Sequence, residues 1–370
     1  MATTATAPTA PTPTTGAPAA APDSAKLDAF VGKMVGDVGA AMSSILVVIG
    51  DRLGLWKAMA DGKPVTPSEL AARTKTAERY IREWLNAQAA AGYVTYDAKT
   101  GRYTLPPEGA FTLADETSPA FFPGLFEVTA ACWAGTDRMT ENFRTGEGLE
   151  WGHQHPCLFQ GTERFFRAGY LANLISAWIP ALDGVEAKLR AGARVADVGC
   201  GVGASTILMA KSYPQSQFIG FDYHEKSIDM ARDRARSAGV ADRTKFEVAK
   251  STDYPGAGYD LVAYFDCLHD MEDPVGAARH TRSTMASDGT WMIVEPYAGD
   301  NPEDNHNMVG RVYYSASTML CVPHSLSQNG PALGAQAGEQ RIRGVATSGG
   351  FSRFRRATET PFNLVYEARP

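Results

Sequence analysis

The chain changes its hydrophobic period several times. From about Lys26, the residues Leu27, Phe30, Val31, Met34, Val35, Val38, Met42 and Ile45 recur at three- and four-residue intervals, one apolar stripe along a helix. A stripe of this length suits a core helix or a helix packed on a partner subunit. Thr66-Pro-Ser-Glu69 reads as a capping box with proline at the first helical position, opening a short helix from Glu69 to about Arg73. After Thr76 a longer helix carries Tyr80, Ile81, Trp84, Leu85 and Gln88 and stops at Gly92. Tyr93–Tyr96 and Arg102–Leu105, joined by the turn Asp97–Gly101, predict a hairpin. Helix, turn, helix and hairpin make a mostly helical winged-helix domain.

Residues 111–190 are helical and aromatic, with Phe121–Phe126, Cys132-Trp133, Gly148–Pro156 and a long helix over Phe165–Trp178. From residue 191 short apolar strands alternate with helical stretches: Arg194–Val198, Gln217–Phe221, Thr244–Val248, Leu261–Phe265 and Thr290–Glu295. That alternation predicts an α/β domain with a doubly wound, Rossmann-like parallel sheet. Phe351–Arg356 and Phe362–Ala368 add an antiparallel last pair, for seven strands. Between them and Tyr297 lies a long insertion, about 297–343, expected to roof a pocket. The expected division is a disordered Ala/Thr/Pro tail over 1–24, a winged-helix domain over 25–110, a helical linker over 111–190 and the α/β domain over 191–370.

Composition narrows the class. With 44% apolar and 21% charged residues in 370, the chain reads as an ordinary globular protein of two domains. Its net charge of −6 offers no bulk attraction to nucleic acid or an anionic membrane. The longest aliphatic run, Ile45–Ile49, is far short of the ~20 residues that span a bilayer. The five cysteines are scattered with no Cys-x-x-Cys pair, which suits free thiols in a reducing cytoplasm and gives no zinc framework. The start lacks the basic and apolar regions of a secretory signal. On the second winged-helix helix Glu78, Arg79, Arg82 and Glu83 cancel, and Lys99 and Arg102 face Asp97, so DNA binding is not expected.

The candidate chemistry starts at Val195-Ala-Asp-Val-Gly-Cys-Gly-Val-Gly203, a strand ending in a glycine turn before a helix. Nineteen residues past Gly203, Asp222 ends the next strand, where a carboxylate can take both hydroxyls of a ribose. The turn also fits a dinucleotide fingerprint. Asp197, two residues before the first glycine, argues against it, because it would repel a pyrophosphate and welcome an ammonium. Ligands in such sheets bind beyond the carboxyl ends of the strands. The cofactor candidates are therefore Asp197, Gly199, Cys200, Gly201, Gly203, Asp222, Tyr223, Lys250, Ser251, Thr252, Phe265, Asp266 and Cys267, with Glu295 at the fifth strand end.

Asp-x-Gly-x-Gly-x-Gly with the distal acid resembles the first two motifs of class I S-adenosylmethionine-dependent methyltransferases. Leu268-His269-Asp270 is similar to a segment of winged-helix O-methyltransferases in which the histidine is the general base. The adjacent tryptophan of that family is Met271 here, and its cofactor-binding lysine is Phe265. The third strand also departs: Lys250, Ser251 and Thr252 stand where an adenine-binding acid is usual. Over about 26–370 the chain resembles actinobacterial winged-helix methyltransferases, some labelled possible regulators.

The resemblance implies S-adenosylmethionine as cofactor, a small-molecule acceptor, dimerisation through the N-terminal domain and His269 as general base. The expected acceptor contacts are Trp133, Trp151, His153, Tyr170, Asn173, Glu295, Tyr314 and Ser317, around a largely apolar molecule; no metal is expected, since His153-x-His155 lacks partners at familiar spacing. Carbon or nitrogen acceptors needing only positioning, and a cofactor-sensing regulator, remain as alternatives.

Overall fold

A computed structural model describes residues 22–370. The expected disordered tail lies, as far as residue 21, outside the described residues, and Ser24 already opens the first helix, α1 (Ser24–Arg52). The chain parts into two units, one ending at Ser43 and one running Ser44–Pro370. In the first unit the predicted stripe lies open to solvent, with Phe30, Val35, Val38 and Met42 all above 60% exposed. By length and composition α1 would also cross a bilayer, its apolar window averaging a hydropathy of 1.5. The uninterrupted aliphatic run is short because glycines, small residues and a few charges break it, while the mean over the window stays high.

The second unit begins with the end of α1, where Val47 enters a core with Trp56, Leu70, Trp84 and Leu85. Next come α2 (Leu55–Met59), α3 (Pro67–Thr74) and α4 (Glu78–Ala90). The capping box forms as expected: the Glu69 N–H donates to Thr66 Oγ1 at 3.2 Å and the Thr66 N–H to Glu69 Oε2 at 2.8 Å. Strands β1 (Thr95–Asp97) and β2 (Arg102–Thr104) form the wing, which Val65 joins through a bridge to Tyr103.

The middle segment packs helix Pro123–Ala134 on helix Cys157–Asn173. Their approach needs glycine on both sides: a Cβ at Gly124 would stand 2.5 Å from the Gly161 carbonyl oxygen and 2.5 Å from the Phe165 amide nitrogen. Buried Arg164, on the second helix, bridges Asp51 at 2.6 Å and Glu127 at 3.0 Å, which ties the end of α1 to this segment.

The α/β sheet consists of β3 (Arg194–Val198), β4 (Gln217–Asp222), β5 (Thr244–Val248), β6 (Tyr259–Phe265), β7 (Met285–Pro296), β8 (Arg353–Glu359) and β9 (Asn363–Arg369). Their order is β5-β4-β3-β6-β7-β9-β8. Strands β3 to β7 pair in parallel, and β9 inserts antiparallel to both β7 and β8. The order reverses at β3, flanked by β4 and β6, so a crevice opens at the carboxyl ends of these strands.

The insertion after Tyr297 is helical rather than loop-like. It holds helix Met308–Ala316, a π-helical turn Ser317–Cys321 and helix Val322–Ser327. It also ends earlier than expected, since helix Gly338–Ser348 places Ile342, Val345 and Ala346 in the core beneath the sheet.

Candidate functional site

The turn after β3 needs its glycines for different reasons. Gly199, Gly201 and Gly203 all have left-handed φ, at 75°, 52° and 79°. A Cβ at Gly199 would meet Cys267 Sγ at 2.8 Å, and one at Gly203 would meet Phe246 at 2.8 Å. At Gly201 a Cβ would meet nothing within 4 Å, so a side chain there would project into open space. Asp222 closes the turn by accepting the Gly201 N–H at Oδ2 and the His224 N–H at Oδ1, both at 2.9 Å. Burial raises its pKa.

These residues border a cleft of about 300 Å³. Of the expected cofactor residues, Gly199, Cys200 and Gly201 line it, as do Asp222 and Tyr223, Lys250 and Ser251, and Phe265, Asp266 and Cys267. Asp197, Gly203 and Thr252 do not. Gly203 serves as the left-handed residue that opens helix Ala204–Ser212. Asp197 turns inward, where Oδ2 accepts the hydroxyls of Ser205 and Thr206 at 2.6 Å each, while Oδ1 is buried with no partner among the described residues. Burial pushes its pKa up to about 6. Its reach to the cleft runs through Ser205, which lines it.

His269 lies on the cleft wall in a short turn, Leu268–Asp270, and is 3% exposed. Its Nδ1 stands 2.6 Å from Glu295 Oε2, and Glu295 Oε1 accepts the Leu268 N–H at 3.1 Å. The register of β6 with β7 pairs Phe265 with Val294, so the residues beyond those strand ends are brought side by side. Burial would pull the imidazole pKa down, but the Glu295 carboxylate overcomes it and holds the group well above the usual histidine range. Glu295 therefore stands behind the histidine and does not line the cleft. The other ring nitrogen, Nε2, is 3.3 Å from Cys321 Sγ. Next to the histidine, Asp266 has a left-handed φ of 51°; its Oδ1 accepts from Asn363 Nδ2 at 2.8 Å, and its Oδ2 is buried without a partner among the described residues.

The expected acceptor residues divide. Trp151 and Tyr170 line the cleft, the latter with its ring 5.2 Å from Phe265. Trp133 is 60% exposed, because its helix turns Val128 and Ala131 inward instead. His153 is exposed beside Glu150 at 3.6 Å, and Asn173 donates to the Gly169 carbonyl of its own helix at 3.0 Å. Tyr314 faces outward, while its neighbour Tyr313 lines the cleft and donates its hydroxyl to the Phe362 carbonyl at 2.8 Å. Ser317 Oγ accepts the Ala335 N–H at 3.0 Å and is structural. Cys321 and His324 line the cleft without having been expected there, and His324 lies 5.9 Å from the Tyr223 ring at an interplanar angle of 12°. Both come from the insertion, whose sequence carries no period that would aim them.

Residues 41–115 match the family model for the Rv2258c-like winged HTH domain, and residues 189–340 match that for a methyltransferase domain. The chain is 41% identical over 87 residues to 27-O-demethylrifamycin SV methyltransferase of Amycolatopsis mediterranei, covering 23% of this chain and 32% of that protein. It is 35% identical over 104 residues to a ubiquinone biosynthesis O-methyltransferase of Bordetella bronchiseptica, covering 28% and 42%. The chain spans about a third to a half of the length of the curated relatives it matches. Among solved structures, human N-acetylserotonin methyltransferase in complex with S-adenosylmethionine superposes with a TM-score of 0.68 at 14% identity, over 95% of this chain and 99% of that one. Mitomycin 7-O-methyltransferase MmcR does so at 0.66 and 19%, over 94% and 100%. At these identities the likeness concerns the fold. With the two domain models matched in order, the chain carries an N-terminal winged HTH domain followed by a methyltransferase domain, built on the sheet order and glycine turn of the class I S-adenosylmethionine-dependent methyltransferase fold.

Proposed function

We propose that the protein transfers a methyl group from S-adenosylmethionine to a hydroxyl oxygen of a small, largely apolar acceptor, with His269 as general base. The observation that carries this reading is the Glu295–His269 pair, buried at the wall of the cleft that the glycine turn and Asp222 also border.

The residues of the cleft fit the cofactor. It bears a sulfonium and an ammonium against one carboxylate, and Asp222, Asp266, Asp270 and Glu272 outnumber Lys250 among the charged lining groups. The unpartnered Oδ1 of Asp197 and Oδ2 of Asp266 are buried acceptors close by. A pyrophosphate would meet the same carboxylates unfavourably, which favours this cofactor over a dinucleotide. Gly201 leaves the space that a side chain would fill. We assign the ribose hydroxyls to Asp222 and the cofactor contacts to the lining residues from Gly199 to Cys267 named above.

The bound cofactor supplies an electrophilic methyl group for in-line displacement. Glu295 raises the pH at which His269 gives up its proton; in the deprotonated form it accepts the Nδ1–H of His269, which fixes the tautomer with its Nε2 lone pair toward the cleft. That nitrogen takes the acceptor's hydroxyl proton as its oxygen attacks, and Glu295 stabilises the imidazolium that results. Trp151, Phe159, Phe166, Val312 and Leu320 form apolar walls suited to excluding water and holding the acceptor. Transfer of a labelled methyl to hydroxylated aromatic acceptors tests the reading. The expected result is an oxygen-methylated product whose rate falls ~10²- to 10⁴-fold in His269→Ala; an undiminished rate contradicts the role of His269. A second reading, an amine acceptor, is favoured by the unpartnered oxygen of Asp266, and a nitrogen-methylated product would establish it.

The winged helix suits packing better than DNA binding, because Arg79 and Arg82 pair with Glu83 and Glu78 on their own helix and Arg102 pairs with Glu69. A second copy of the chain is the proposed cover for the exposed face of α1. Light scattering should then give a dimer that Val38→Asp with Met42→Asp dissociates. A monomeric wild type opposes this, and wild-type binding to neutral lipid vesicles would assign the face to a membrane.

A further inference from the structure

We propose that a thiophilic divalent cation of the zinc class binds on the cleft wall, held by His269 Nε2, Cys321 Sγ and the Asp270 carboxylate, in competition with the proton-accepting role of His269. The ligand atoms of these three residues lie within 4.8 Å of one another. They come from separate elements, the turn Leu268–Asp270 after β6 and the π-helical turn Ser317–Cys321 of the insertion, so tertiary packing assembles the set. No spacing in the sequence displays it.

The distances suit a tetrahedral ion. With bonds of ~2.0–2.1 Å to imidazole nitrogen and ~2.3 Å to thiolate sulfur, the two ligand atoms should stand ~3.5 Å apart. Nε2 and Sγ are 3.3 Å apart here, so the pair would open by only a few tenths of an ångström. The Asp270 side chain makes no hydrogen bond with the described residues, which leaves its carboxylate free to turn toward the ion. Behind the histidine, Glu295 holds Nδ1 at 2.6 Å. A carboxylate on the far nitrogen of a ligating histidine fixes the ring and raises its basicity as a ligand. One nitrogen, one sulfur and one oxygen suit zinc better than magnesium or calcium, which prefer oxygen alone. All three residues line the cleft, so the fourth coordination position would face it.

Binding requires the Cys321 thiol and the protonated His269 ring each to release a proton to solvent, so protons compete with the ion. The ion would occupy the same Nε2 lone pair that the methyl-transfer reading assigns to the acceptor's proton. Zinc should therefore inhibit transfer. That consequence rests on the methyl-transfer reading, whereas binding of the ion rests on the donor set alone.

The test is titration of the chelator-treated full chain with CoCl2 and then ZnCl2, with no cofactor present. The expected result is one cobalt per chain with a thiolate-to-cobalt charge-transfer absorption in the near ultraviolet, displaced by zinc. Cys321→Ser should abolish the absorption, Cys132→Ser should leave it, and Asp270→Asn should keep it while weakening zinc at least tenfold. A wild-type far-ultraviolet circular-dichroism spectrum and a cooperative thermal transition report an intact fold in each variant. If Cys321→Ser does not fold, Asp270→Asn carries the test. An absorption that survives in folded Cys321→Ser, zinc affinity indifferent to Asp270→Asn, or no cobalt bound would overturn the site. In the transfer assay, inhibition should follow the zinc-binding curve; undiminished transfer by the zinc-loaded protein would overturn the competition even with the ion bound.

Discussion

Asp197 should make the protein less stable at neutral pH than its asparagine variant, and the difference should titrate. Burial moves this carboxyl from 3.8 to about 6. A shift of about 2.2 units at 1.36 kcal/mol per unit amounts to about 3 kcal/mol against the ionised form in the folded state. The sign follows from the direction. An acid whose pKa is raised on folding binds its proton more tightly in the native state, so its favourable contribution is complete below the unfolded value and is lost as pH rises through the folded one.

Asparagine does not titrate, and its side-chain oxygen can still accept from Ser205 and Thr206, which both donate to one oxygen in the wild type. The stability of Asp197→Asn relative to wild type should therefore grow by about 2 kcal/mol between about pH 4.5 and about pH 7.5, most of it within a unit of the folded pKa. Urea unfolding at several pH values measures this gap. A gap that stays flat would refute the reasoning, since Asp197 would then not be carrying a buried charge. The account also expects the variant to bind S-adenosylhomocysteine more weakly, as a group kept ionised at a cost to folding is expected at a functional site.

Three further outcomes are expected. Glu295→Gln keeps an acceptor for the Leu268 N–H but removes the charge that holds His269 protonated, so the acid limb of the pH–rate profile should move to lower pH and the plateau should fall ~10²-fold or more; a limb that does not move contradicts the pairing. Gly124→Ala places a methyl 2.5 Å from two backbone atoms of the facing helix and should cost about 2 kcal/mol or more, read as a lower melting temperature; an unchanged melting point would contradict the close packing. Gly201→Ala forces a left-handed φ that costs ~1–2 kcal/mol and puts a methyl into the cleft, so affinity for S-adenosylhomocysteine should drop with little effect on the rest of the fold; equal affinity would place the cofactor elsewhere.

What the sequence displayed was local. The capping box at Thr66, the glycine turn after Val198 and the acid at Asp222 depend on backbone conformation and strand length, which neighbouring residues dictate. The pairing of His269 with Glu295 crosses two strands, and only their register brings it about. Glu295 was legible as a strand-end acid, but its direction, behind the histidine rather than toward an acceptor, was not. Trp133, His153 and Tyr314 were singled out for chemical type, and a residue type does not say which way a helix turns it. For two of them other residues of the same helix took the inward face: Val128 and Ala131 for Trp133, and Tyr313 for Tyr314. Cys321 and His324 reach the cleft because an insertion expected as a polar loop folds as helix and π-helical turn. The open stripe of α1 was legible in full, whereas what covers it was not.

The central claim is tested most directly by calorimetric titration of the full chain with S-adenosylhomocysteine, alongside NADH and the Asp222→Ala variant. The account predicts micromolar binding of S-adenosylhomocysteine, lost by ~10²-fold or more in the variant because two hydrogen bonds to a charged group disappear, and no binding of NADH. Binding of NADH in place of S-adenosylhomocysteine, or an affinity that Asp222→Ala leaves unchanged, would contradict it.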